Sequence, residues 1–146
     1  MKSRNAGVAL VNLMAETTFV NPYASSSGGW DIGFAFRETG VNDQLWLIVD
    51  SAGEWSLINR VDGEDNYLDE GTVANLDVNE GGQNHLTLIA WGEQGHFFLN
   101  DSYVVTLDLS QRTDPGDIDV VTAFFVGNEI PGNATIYDNF TVWSLP

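Results

Sequence analysis

The chain has 146 residues, with 21 Asp and Glu against 5 Lys and Arg, no cysteine and 12% aromatic residues. The length suits one domain, residues 1–146, with a real core; 43% hydrophobic residues are too many for a disordered acidic chain. A formal charge of −16 argues against nucleic acid, whose phosphates require cations, no run nears the roughly 20 apolar residues of a membrane span, and the lack of Cys excludes disulfide staples, thiolate metal sites and a cysteine nucleophile.

In chain order, Lys2 and Arg4 precede a mostly apolar stretch to Ala15. Gly7 and Asn12 dilute it and no A-x-A site follows, so a first strand is expected rather than a cleaved leader. Asn21 to Gly29 reads as a loop. Trp30, Ile32, Phe34 and Phe36 alternate with Asp31, Gly33, Ala35 and Arg37, a strand with one buried face. Leu45 to Asp50 is apolar on both faces, as in a central strand. The turn Ser51-Ala52-Gly53 leads into its hairpin partner, Glu54 to Arg60. Val61 to Gly71 reads as a polar loop, and Val73 to Val78 as either a turn or a short strand. His85 to Trp91, His96 to Leu99, Tyr103 to Leu109, Ile118 to Val126 and Thr135 to Trp143 complete the strands. No window carries a helical stripe that does not also fit a strand. About 9–11 strands, with turn signals every 8–12 residues or so, indicate an all-β sandwich or barrel.

Several of these segments carry a family resemblance. Trp30-Asp-Ile-Gly-Phe-Ala-Phe-Arg37, Gln44-Leu-Trp-Leu-Ile-Val49 and Gly53-Glu-Trp-Ser-Leu57 come first. Asn84-His-Leu-Thr-Leu-Ile-Ala-Trp-Gly92, Phe97-Phe-Leu-Asn100 and Ile136-Tyr-Asp-Asn-Phe-Thr-Val142 follow in order. Together they resemble the concanavalin A-like, LamG or glucanase-type jelly roll, nearest to the bacterial 3-keto-disaccharide hydrolase type. The resemblance spans roughly Ala15 to Val142. It implies a sandwich of two antiparallel sheets and a bacterial source. It does not choose a function, because this fold hosts lectins, glycosidases and interaction modules. The Glu-x-Asp-x-(x)-Glu strand of the superfamily's glycosidases has no counterpart here, which argues against catalysis.

The alternation assigns Ile32, Phe34, Phe36, Leu45, Leu47, Val49, Trp55, Leu57, Leu86, Leu88, Phe97 and Leu99 to the core. It assigns Arg37, Trp46, Ile48, Ser56, Arg60, Thr87, Trp91, His96 and Phe98 to the opposite side, read as one concave sheet face. Aromatic faces stack on sugar rings, while Arg and His donate to hydroxyls and carboxylates. Arg37, Trp46, Arg60, His96 and Trp91 are therefore the expected ligand-binding residues. The plainer reading makes the same face a second core layer, covered by the long loops, with Arg37 and Arg60 paired to acids. Asp114, Asp117 and Asp119, beside the Pro115-Gly116 turn, could supply oxygen ligands to a structural Ca²⁺; a solvated hairpin loop is the alternative.

No nucleophile elbow, phosphate loop or reactive lysine is present. The expectation is a non-catalytic, extracellular or cell-surface module binding a carbohydrate or protein ligand, without nucleic-acid or membrane partners. A self-associating structural module and a sugar hydrolase of the 3-keto-disaccharide type are the alternatives.

Overall fold

The computed structural model describes residues 1–146. Its elements are β1 (Lys2–Asn5), β2 (Leu13–Val20), β3 (Trp30–Gly40), β4 (Asp43–Asp50), β5 (Glu54–Val61), β6 (Glu64–Thr72), β7 (Gln83–Trp91), β8 (Gln94–Leu99), β9 (Ser102–Asp108), β10 (Asp117–Phe124) and β11 (Ile136–Ser144). They form a six-stranded sheet, ordered β1-β10-β3-β4-β5-β6, and a five-stranded sheet, ordered β11-β2-β7-β8-β9. All pairings are antiparallel.

Every residue assigned to the core from the alternation lies in one cluster of 22 buried side chains between the sheets. The cluster also holds Leu13, Ala15 and Phe19 of β2, which the sequence reading passed over. In β2 the inward positions include Ala15 and a hydroxyl, Thr17, while Met14 and Val20 point outward, so the apolar alternation is weak. Thr17 sits inside because its Oγ1 donates to the Asp138 carbonyl at 3.0 Å.

Two loop expectations meet different fates. Residues 21–29 contain no strand, as expected. Val61 to Gly71 is instead the β5–β6 turn and most of β6. That strand is at the edge of its sheet and almost wholly exposed. Edge strands bond through one side only and bear charges that discourage further pairing, so Glu64, Asp65, Asp69 and Glu70 read as loop although they lie in a strand. Val73 to Val78 is irregular.

The asparagines of the recognised motifs are architectural. Asn84 is fully buried; its amide donates to Asn21 Oδ1 and the Asp77 carbonyl, and accepts from Asp77 N–H and the Asn100 amide. Asn100 also accepts from His85 N–H. The network ties the 21–29 loop and the 75–79 segment to the β8–β9 turn.

Candidate functional site

Arg37 apart, the alternation separates inside from outside correctly but not one outer face from the other. Trp46 and Arg60 lie on β4 and β5 of the six-stranded sheet, whereas Trp91 and His96 lie on β7 and β8 of the five-stranded sheet. The expected single face is therefore two faces on opposite sides of the sandwich. On the five-stranded side, Trp91 is exposed and His96 Nδ1 lies 3.2 Å from Thr106 Oγ1, with Ile89 opposite His96 in the register.

Arg37 is on neither face. Between Phe36 and Gly40 the β3–β4 register slips, and between Asp117 and Ile118 the β10–β3 register slips as well. Arg37 is the unpaired residue of this bulge, with φ at 49°. A bulge breaks the period of two, so Phe36 and Arg37 both turn inward and Arg37 is completely buried. Its guanidinium donates to the carbonyls of Val11, at 3.0 Å from Nη2, Gly92, at 2.6 Å, and Arg112, at 2.6 Å. No carboxylate pairs with it, and burial lowers its pKa. It is a clamp joining the segment before β2, the β7–β8 turn and the segment after β9. Gly116 runs so close to Arg37 and Glu38 that a Cβ there would strike their backbone.

The acidic trio is dispersed by role. Asp114 is exposed. Asp117 accepts from the N–H groups of Gly7, Val8 and Ile118. Asp119 is buried on the outer face of the six-stranded sheet. No three His, Asp or Glu side chains in the chain converge as metal ligands would, so the structure does not bring the three carboxyls of the expected calcium loop together. The spacing suggested convergence, but pleating and the backbone contacts of Asp117 send the carboxyls apart.

The outer face of the six-stranded sheet does form a site. Ala35, Ile48 and Val121 make an apolar strip with Trp46 packed against it. Arg60 lies over the Trp46 ring, 5.1 Å from its centroid, and Nη1 of Arg60 meets Asp65 of β6 at 2.8 Å. The expected pairing of Arg60 with an acid therefore holds. Two hollows adjoin at Trp46. One, of about 250 Å³, is lined by Asp31, Asp50, Glu54, Ile58 and Tyr67; the other, of about 260 Å³, by Glu38, Gln44, Arg60, Asp119 and Val121. Neither is capped by the 21–29 loop, which borders a separate hollow with Ser51 and Phe125.

Three of the four buried side-chain polar atoms without a hydrogen-bond partner line the second hollow: Gln44 Oε1, Trp46 Nε1 and Asp119 Oδ1. Such atoms are costly and rare in native folds, and three of them are grouped at this one hollow. Burial, then the facing Asp50 carboxylate, pushes Asp31 up to about 6, with the N-terminal amine acting against them. Burial, then Asp119 and Asp117, raises Glu38. Burial and Asp117 raise Asp119, against the Ser3 hydroxyl. Sequence reasoning missed Asp31, Glu38, Gln44, Asp119 as a ligand contact, and Tyr67. Only the outward phase of Asp31 was there to find.

No protein-family model and no curated protein matches the chain. Solved structures do. The carbohydrate-binding module CBM66 from Bacillus subtilis aligns with a TM-score of 0.70 at 16% identity, over 98% of this chain and 78% of that one. Congerin II with lactose and MES aligns at 0.67 and 6% identity, over 97% and 98%. Chicken galectin 2 aligns at 0.62 and 11% identity, over 98% of both chains. The fold, shared with these structures, is an all-β jelly-roll sandwich of two antiparallel sheets.

Proposed function

We propose that the protein is a carbohydrate-binding module whose ligand lies along the outer face of the six-stranded sheet, across Trp46. The observation that carries this reading is the pair of hollows meeting at Trp46, with unpartnered polar atoms grouped beside the ring. An aromatic face beside directed donors and acceptors suits a sugar ring, apolar on its faces and hydroxylated at its edge. The similarity to a carbohydrate-binding module and to a lactose-liganded congerin supports it. We propose Trp46 and Arg60 as contacts, and leave Trp91 and His96 out of this site because they lie across the sandwich. An extracellular or cell-surface setting, where polymeric glycans are met, goes with the reading.

A glycan array followed by affinity electrophoresis tests it. Trp46→Ala should weaken binding roughly 30-fold, the size of a hot-spot contact of about 2 kcal/mol. Undiminished binding by that variant would place the site elsewhere.

One observation favours a second reading, a sugar hydrolase of the 3-keto-disaccharide type. Asp31, raised to about 6, faces Asp50 across the β3–β4 register, and Asp50 Oδ1 accepts from Ala52 and Glu54 N–H. A protonated and an ionised carboxyl side by side can share acid and base roles. Product release from pooled glycosides, lost in Asp31→Asn, would establish it.

A further inference from the structure

We infer that the groove selects a saccharide bearing protonated amines, an oligomer of deacetylated hexosamine, over its neutral counterparts. This rests on the carbohydrate-binding reading and deepens it.

The argument starts from charge within the groove. Asp31, Asp50 and Glu54 line the first hollow and Glu38 and Asp119 the second. Two cations stand on this wall: Arg60, already engaged by Asp65 at 2.8 Å and by the Trp46 ring, and the amino terminus of Met1, which lines both hollows and acts on Asp31. Against only these two cations, an anionic sugar would meet those five carboxylates. A neutral sugar would leave their repulsion untouched.

The second hollow narrows the choice. Asp119 and Gln44 are each only 5% exposed, and each presents an oxygen with no donor. The unpartnered atoms are two acceptors, Gln44 Oε1 and Asp119 Oδ1, and one donor, Trp46 Nε1; the two oxygens suit the three N–H donors of an ammonium, and the indole N–H suits a sugar oxygen beside it. A bare metal ion fits poorly, since no three acidic or His side chains converge. Trp46, with Arg60 over its ring, lines both hollows and gives a sugar ring an apolar neighbour. Burial, then neighbouring carboxylates, already raises Asp31, Glu38 and Asp119 above their ordinary values, so an ammonium beside them would offset that repulsion.

The test is calorimetric titration of the full chain with β-1,4 oligomers of equal length built from glucosamine, N-acetylglucosamine and glucose. Spermine and oligolysine serve as cations without sugar rings. The expected result is at least about tenfold tighter binding of the glucosamine oligomer than of the other two, weakening as salt rises. Asp119→Asn, checked for an unchanged fold by circular dichroism, should bring that ratio toward one. Equal or tighter binding of the acetylated or glucose oligomer overturns the inference and leaves the carbohydrate-binding reading standing. Spermine or oligolysine binding as tightly as the glucosamine oligomer overturns it too, because the groove would then be a general cation trap. No binding of any oligomer overturns it, and the glycan array then decides the broader reading separately.

Discussion

Arg37 shows how one residue can mislead a pattern and still be explained by physics. Its position in an alternating strand predicts an outward side chain; the bulge turns it inward onto three carbonyls. A buried guanidinium without a carboxylate is tolerated because its planar fork satisfies several acceptors at once. Arg37→Leu would strand those carbonyls, and should cost about 3 kcal/mol or more in urea unfolding. Arg37→Lys should recover little, since an ammonium lacks the fork. Asp31 gives a second residue-level expectation. Its folded pKa, about 6, exceeds the roughly 3.9 of an unfolded Asp. The folded state therefore binds this proton more tightly, and the resulting stability is fully present below about pH 4 and lost as pH rises through 6. A thermal melting series should show Tm falling across that window, with the fall reduced in Asp31→Asn and the variant more stable than the parent at pH 7.

Among the elements, β3 and β10 depend on their shared bulge. Gly116 passes against the backbone of Arg37 and Glu38 with no room for a side chain. Gly116→Ala should lower stability by about 1–3 kcal/mol by forcing the two segments apart, and chemical denaturation of the variant would measure it. The strands read from the sequence, β3 to β5 and β7 to β11, each place at least two apolar side chains in or against the core. β2 was hidden because it fills its inward positions with Ala15 and Thr17, and β6 because an exposed edge needs no apolar face. The site was legible only in Trp46 and Arg60. Its remaining members sit on strands whose adjacency the local sequence does not encode, such as β10 beside β3.

Across the whole molecule, the excess of acid sets both solubility and a standing self-repulsion. Melting temperature should rise with added NaCl, because screening shortens the reach of that repulsion to about 10 Å at 0.1 M. Calcium should act as a screening ion, matched by magnesium at equal ionic strength; a specific calcium effect would reveal ligands that Asp114, Asp117 and Asp119 do not jointly supply. A Tm flat in salt would mean that the carboxylates are already spaced widely enough not to interact.

The sequence by itself determined the all-β class and the inward set of the strongly apolar strands. These follow from period and composition, which are local properties of the chain. The tertiary structure decided which sheet each strand joined, and so parted Trp46 and Arg60 from Trp91 and His96. It decided that Arg37 turned inward, and that Gln44, Trp46 and Asp119 came together around one hollow. A period of two states only whether a side chain faces in or out. Which outer face it reaches depends on long-range pairing, and a bulge exists only once two strands have met.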